Sequence, residues 1–141
     1  MKQFILALLF FGFTKITFSQ TGTVAITVNN IGLKKAGVLS VGIFDQTNFP
    51  KVGKPLLEIR KKISGRAMEI VFENIPAGEY GIAAFQDIDK NNDLKTNFIG
   101  FPTEPIGFSN DARIKMGPPS FEDAKVKLES GKVLKIIIQL H

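Results

Sequence analysis

The sequence predicts an all-β fold, a sandwich of seven antiparallel strands in two sheets with one long ordered loop. Apolar and polar residues alternate over most of the chain, which is the period of a half-buried strand. Glycine, proline and Asx turn signals separate these runs, and no stretch has the apolar spacing of a helix of ordinary length. A chain of 141 residues suits one domain, which we assign to residues 20–141.

Seven runs of the chain carry this alternation. They cover residues 23–28, 37–43, 57–63, 68–72, 80–85, 124–129 and 133–140. In the first run Val24, Ile26 and Val28 share one face, as in a strand that packs on a core. The third run is rich in lysine, which suits an edge strand because charged side chains discourage pairing with another molecule.

Residues 1–19 have the three parts of a secretory signal peptide. A lysine near the start precedes an apolar run over residues 4–13, and Thr17 and Ser19 place small residues where a signal peptidase reads, so we expect cleavage before Gln20. The apolar run is shorter than the roughly 20 residues that span a bilayer. No later stretch of the sequence is apolar enough to cross a bilayer. We expect an exported protein, periplasmic or secreted, whose mature part has no transmembrane segment.

Composition excludes several kinds of site. The chain has no cysteine, which rules out disulfides, thiolate metal sites and a cysteine nucleophile. Its one histidine is the last residue, His141, so a histidine zinc site is excluded and a Ser-His-Asp triad is not expected. We therefore predict that the protein is not an enzyme, with a hydrolase of unrecognised type as the remaining alternative.

Charge argues against a nucleic-acid partner. Without Lys2 and Lys15 of the signal peptide, 16 basic residues remain against 13 acidic ones, a net charge of +3. Basic residues are scattered along the chain, and residues 60–62 form their only run. A nucleic-acid-binding protein would concentrate them on one face among aromatic side chains. The run at 60–62 suits a solvated strand face.

Oxygen-bearing side chains occupy every second position from residue 87 to residue 93. With a further asparagine they form a candidate metal site of Asp87, Asp89, Asn91, Asp93 and Asn97. Such spacing suits a loop that coils around calcium, which takes six to eight oxygen ligands. The glycine and the terminal acid of an EF-hand loop are replaced by Asn92 and Phe98, and Glu104 or Asp111 could fold back as a substitute ligand.

A metal-free interpretation of the same loop stays open beside calcium. Asp and Asn side chains in tight turns cap their own backbone and need no ion. Calcium, in a structural role, is therefore the one candidate cofactor.

A second candidate site lies in the stretch between residues 87 and 123, which shows little alternation. A connection of this length is usually functional, self-packed or disordered, and its phenylalanines argue for packing. Ser109, Asn110 and Arg113 are candidate ligand contacts within the 107–123 loop. Alternatively, the glycines and prolines only shape this loop, and Phe98, Phe101, Phe108 and Phe121 fill gaps beneath it.

Two motifs resemble known families. Residues 72–82, FENIPAGEYGI, resemble the strand–turn–strand signature of transthyretin-like and collagen-binding-B-type sandwiches. Residues 85–110 and 117–124 resemble the bacterial family called domain of unknown function 2141, over essentially the whole mature chain. The second resemblance rests on Asp87, Asn91, Leu94, Asn97, Gly100, Pro102, Glu104 and the run Gly107-Phe108-Ser109-Asn110.

The second resemblance implies an exported β-sandwich and supplies no catalytic residues. Loops of this family often carry glycine and a later aspartate where the present chain has Asn92 and Lys95. That departure weakens the calcium interpretation for this chain.

Three hypotheses of function follow. The first is a non-catalytic binding or envelope-associated module with a calcium-stabilised loop and an unknown protein or small-molecule partner. The second is a metal-independent small-ligand-binding protein that uses the 107–123 loop. The third is an enzyme of unrecognised type.

Overall fold

The computed structural model describes residues 20–141 and confirms an all-β sandwich. The signal peptide predicted for residues 1–19 lies outside the described residues. Within the described part there are eight strands: β1 (Thr21–Asn29), β2 (Val38–Phe44), β3 (Leu57–Lys62), β4 (Met68–Pro76), β5 (Gly78–Asp87), β6 (Ile106–Phe108), β7 (Val126–Leu128) and β8 (Val133–Gln139). A 3-10 turn at Ser109–Asp111 and the four-residue helix α1 (Phe121–Ala124) follow β6. The strand beyond the predicted seven is β6, which lies inside the long loop.

The strands form two sheets. One has the order β4-β1-β8, and the other has the order β3-β2-β5-β6 with β7 also paired to β5. Strand β3 is thus an edge strand, as its lysines predict. One pair differs from the expected antiparallel arrangement, because β1 and β8 run parallel from Thr23 opposite Val133 to Asn29 opposite Gln139. The chain leaves β7 in the larger sheet, turns at Ser130-Gly131, and enters the smaller sheet alongside β1.

A continuous apolar core fills the space between the sheets. The alternating residues Val24, Ile26 and Val28 of β1 are buried in it, as predicted. Partners from the facing sheet and from β4 and β8 complete the core: Leu39, Val41, Ile43, Ile70, Phe72, Ile82, Ala84, Leu128 and Ile138. Burying apolar surface of this extent is the main stabilising term for a domain without disulfides.

A second apolar cluster covers the outer face of the larger sheet. The ring of Phe49 lies at its centre and makes edge contacts with Phe44, Phe108 and Phe121 at centroid distances of 5.8, 5.9 and 6.0 Å. Phe49 also lies against Gly81 of β5, where a Cβ would overlap its ring. The segment between β5 and β7 therefore packs on the sheet, and β2 is buried on both faces.

Strand β6 ties the long segment to the last strand. The backbones of Ile106 and His141 exchange two hydrogen bonds of 3.0 and 3.2 Å. A Cβ on Gly107 would overlap the carbonyl oxygen of Gln139 in β8, so only glycine permits this approach. Both sheets and both apolar clusters are built from residues 20–141. No helix within it is long and apolar enough to cross a membrane.

Candidate functional site: a braced acidic loop beside an apolar cleft

The acidic loop begins at Asp87, the last residue of β5. Its carboxylate is fully buried, at 0% exposure. Oδ1 accepts the backbone N–H of Asn91 at 3.2 Å, and Oδ2 accepts the backbone N–H of Asn92 at 3.0 Å. Oδ2 also accepts a hydrogen bond from the guanidinium of Arg60, on β3. Asp87 is thus an organiser of the loop that follows it.

The ion pair between Arg60 and Asp87 crosses over β2, which lies between their strands. The guanidinium also stands 5.9 Å from the centre of the Phe85 ring and 3.2 Å from a carboxylate oxygen of Glu58. Burial by itself would raise the pKa of Asp87. The N–H of Asn92 and the charge of Arg60 outweigh burial and hold that pKa below its ordinary value of 3.8. Arg60, which the sequence placed on a solvated strand face, is therefore the ion-pair partner of a buried carboxylate.

Glu104 closes the other side of the loop. Its side chain is buried, and Oε1 accepts the N–H of Ile88 at 2.8 Å while Oε2 accepts the N–H of Lys95 at 2.9 Å. The two ends of the loop are thereby held by one carboxylate.

These hydrogen bonds bring the carboxylates of three acidic residues close together. Asp87, Asp89 and Glu104 each place a carboxylate oxygen within 4.8 Å of the others, and we call them the carboxylate cluster. Glu104 is one of the two residues expected to fold back. The other, Asp111, lies elsewhere and contacts His141 and Arg113.

All six oxygens of the carboxylate cluster accept hydrogen bonds from the protein. Those of Asp89 accept the backbone and side-chain N–H groups of Asn91 at 3.2 and 3.3 Å. Asn91 and Asp93 likewise accept the N–H groups of Asp93 and Leu94. Asp87, Asp89, Asn91 and Asp93 thus make the hydrogen bonds of a turn that caps its own backbone, and further lone pairs on the exposed Asp89 remain open to a cation.

Asn97 is separated from the other predicted ligands. Its Oδ1 accepts the N–H groups of Ile99 and Phe101 at 3.1 and 3.0 Å, and its own N–H donates to the carbonyl of Phe101. A bridge between Thr96 and Pro102 extends this pairing. Asn97 thus shapes a small hairpin whose tip carries Phe98 and Ile99.

The predicted ligand contacts of the 107–123 loop also have local partners. Ser109 is fully buried, and its hydroxyl donates to the carbonyl of Ala124 and accepts the N–H of Ile82 at 3.1 Å. The amide of Asn110 donates to the carbonyl of Lys125 at 2.8 Å. Arg113 is exposed and pairs with Asp111 at 2.7 Å. Of these three predicted contacts, Ser109 has no surface to offer a ligand in this structure.

An apolar cleft of about 200 Å³ opens beside the acidic loop. We define it by the three loop segments 49–55, 94–102 and 114–118, with β6 as its floor. Among the described residues that line it, Thr96 has the only polar side chain and none is charged. The principal lining residues are Val52, Leu94, Ile99, Phe101, Ile106, Phe108, Ile114 and Met116.

Sequence reasoning missed this cleft. The apolar pair Phe98-Ile99 within a polar stretch, and Met116 between Lys115 and Gly117, were the available signals. Phe108 and Phe121 do fill gaps beneath the loop, as expected. Phe98 does not, because it is 99% exposed.

Comparison with known proteins identifies the family. Residues 26–136 match a family described as an uncharacterized protein conserved in bacteria (DUF2141). The chain belongs to the DUF2141 family. No curated protein and no solved structure matches the chain.

In this DUF2141 protein, Arg113 and His141 line a recess of about 240 Å³ next to the apolar cleft. The His141 ring lies 3.1 Å from Asp111, and with Arg113 it lowers the pKa of that carboxyl. The Ser109 hydroxyl is instead committed to backbone groups of β5 and α1. This arrangement can receive an apolar group beside a polar one, and it does not pair histidine with this serine.

Proposed function

We propose that this DUF2141 protein is an exported, non-catalytic binding module, and that its apolar cleft receives an apolar part of the partner. The observation that carries the proposal is the lining of the cleft, which joins three loop segments around an uncharged surface. Concave, mostly apolar surfaces with few polar groups are the usual form of a ligand site.

The walls of the cleft are held in place before any partner arrives. Glu104 fixes both ends of the loop that leads into Leu94, and Asn97 fixes the hairpin that follows. The Phe49 ring supports the opposite wall through Phe44 and Phe108. A preformed site loses less conformational entropy on binding, which favours affinity.

The surroundings of the cleft support a binding role over catalysis. A general base or nucleophile needs a polar group within hydrogen-bond reach of the reacting atom. Thr96 is the only hydroxyl among the described lining residues, and no titratable side chain lines the cleft there. Arg113, in the adjoining recess, would meet a polar end of the partner.

A neutral apolar dye, N-phenyl-1-naphthylamine, tests the cleft. We expect residues 20–141 to bind it saturably, and Val52→Thr combined with Met116→Gln to weaken binding. The matched control combines Val71→Thr with Ile137→Gln, two exposed apolar positions on the other sheet. Equal binding by the two double variants would show that the dye does not report on the cleft and would reject the proposal.

The export part of the proposal is supported by the signal peptide predicted for residues 1–19. Production from the full sequence in a secreting bacterial host, followed by intact mass measurement, tests it. We expect a protein that begins at Gln20. A protein that retains residues 1–19 in the cytoplasm would refute export and leave the cleft unaffected.

A second candidate role is calcium binding by the carboxylate cluster. The convergence of Glu104 on Asp87 and Asp89 favours it, because carboxylate oxygens are the ligands that calcium prefers. Arg60 opposes it, because this cation already neutralises Asp87. Calcium would then stabilise the loop that forms one wall of the cleft.

A further inference from the structure

Three loop segments beside the apolar cleft carry large apolar side chains that the fold leaves exposed. Phe98 and Met116 are 99% and 102% exposed, and Ile99 and Val52 are 63% and 44% exposed. Three of these residues line the cleft, and Phe98 precedes Ile99 on the hairpin tip. Clustered exposure of this kind marks a contact surface, because these side chains bury little in the domain itself.

The same three loop segments are basic. Segments 49–55, 94–102 and 114–118 contain four lysines, Lys51, Lys54, Lys95 and Lys115, and no acidic residue. Within the described part of the chain, Lys54 and Lys115 form no ion pair, and Lys51 donates to the carbonyl of Thr47. Lys95 stands 4.0 Å from Asp89. The three segments therefore combine apolar side chains with three lysines that form no ion pair with a described residue, whereas Lys95 is paired with Asp89 of the neighbouring acidic loop.

We propose that this surface docks on an anionic lipid bilayer. Phe98, Ile99 and Met116 enter the boundary between headgroups and acyl chains, and the lysines contact headgroup phosphates. Peripheral membrane binding depends on this combination of buried apolar area and attraction between basic residues and anionic lipid. The inference rests on the proposed function, since it names the partner class of the apolar cleft.

Charge complementarity favours a lipid surface over a second copy of the chain. A symmetric contact through these tips would bring the lysines of two molecules together without acids from these segments between them. A bilayer with anionic headgroups neutralises the same lysines at once. An acidic protein partner is the remaining occupant, and a domain made for such a partner would not bind vesicles of lipid alone.

Co-sedimentation of residues 20–141 with vesicles tests the proposal. We expect binding to an equal mixture of phosphatidylcholine and phosphatidylglycerol and little binding to phosphatidylcholine alone. Reversing three lysines, Lys51→Glu, Lys54→Glu and Lys115→Glu, should weaken binding on the order of a hundredfold or more, because each basic residue near the surface contributes roughly fivefold. The matched control, Lys127→Glu, Lys132→Glu and Lys135→Glu, keeps the same net charge and changes exposed positions outside the three segments.

The apolar contribution is tested by Phe98→Ser with Met116→Ser. Because both side chains are fully exposed, thermal melts should match that of the unmodified domain while vesicle binding falls. Val71→Ser with Ile137→Ser is its control. Equal losses in test and control variants would show unspecific attraction and overturn the proposal, as would equal binding to neutral vesicles.

The outcomes separate this inference from the proposed function. Dye binding in the cleft without vesicle binding would overturn the lipid proposal and leave the binding module. Self-association that Phe98→Ser abolishes, without vesicle binding, would assign the surface to a second copy and also overturn it. If the unmodified domain binds neither the dye nor the vesicles, both proposals are rejected.

Discussion

Glu104 accepts the backbone N–H of Ile88 across 16 residues of sequence, at 2.8 Å. Its second oxygen accepts the N–H of Lys95, so one buried side chain closes the acidic loop. The acidic loop is thereby set as a wall of the apolar cleft, and its geometry depends on hydrogen bonds that single substitutions can remove.

Glu104→Gln should lower the free energy of unfolding by about 1 to 3 kcal/mol, because the amide replaces one acceptor oxygen of this buried side chain with a donor that faces a backbone N–H. Denaturant unfolding measures the loss, and amide hydrogen exchange at Ile88 and Lys95 should accelerate. Glu73→Gln, at an exposed position of β4, is the control and should stay within about 0.5 kcal/mol of the unmodified protein. Unchanged exchange at both amides would contradict the role of Glu104.

Arg60→Met should remove the partner of a buried carboxylate. We expect a loss of about 2 to 3 kcal/mol at neutral pH, less than for a fully buried pair because Arg60 is partly exposed. Lys62→Met on the same strand is exposed and should have little effect.

The pH dependence of this loss follows from the lowered pKa of Asp87. A carboxyl with a depressed folded-state pKa stabilises the fold above its ordinary value of 3.8, and the stabilisation disappears as pH falls through the folded-state pKa. The difference between Arg60→Met and the unmodified protein should therefore shrink below about pH 4. A difference that stays constant down to acid unfolding would show that packing, and not charge, explains it.

Gly107→Ala should destabilise the domain by about 1 to 3 kcal/mol, because the added Cβ would overlap the backbone of β8 at Gln139. Urea unfolding measures the loss. Gly117→Ala is a control within the same long segment, since no atom lies within 4 Å of a Cβ built there. Equal stability of the two variants would show that β6 and β8 can separate without cost.

Calcium binding is tested by thermal melts with excess calcium and with a chelator. A ligand that binds only the folded state stabilises it by about 2.7 kcal/mol at one hundred times its dissociation constant, so calcium should raise the melting temperature. Asp89→Asn should abolish that rise and leave the metal-free melt unchanged, because Asp89 is exposed and outside the Arg60 pair. Identical melts at millimolar calcium would leave residues 87–97 as a metal-free turn.

The alternation of apolar residues was enough to predict most of the sandwich. It identified the inward face of β1 because this long strand packs on the core with one face only. It did not identify β6, where three residues follow Pro105 and include the glycine that β8 requires. Nor does alternation report strand direction, so the parallel pairing of β1 with β8 was not predictable from it.

The site was less predictable than the fold. Asp87 and Arg60 are 27 residues apart in sequence. They meet because their strands, β5 and β3, both pair with β2 in the larger sheet, so that the two side chains can reach each other across it. The cleft is assembled from three distant loop segments, each of which is unremarkable in sequence. Spacing could only point to Asp87, Asp89 and their neighbours as a group in sequence, whereas their hydrogen-bond partners depend on the tertiary fold.

The pairing of Thr23 with Val133 has a consequence for how the molecule is made. Strand β1 is central in its sheet, so one of its two hydrogen-bonded edges stays open until β8 has been synthesised. Contacts between the first and last strands raise contact order, which slows folding. We expect the chain to remain loosely structured until β8 is available to pair with β1, and a chain truncated before Val133 to expose a strand edge that promotes aggregation.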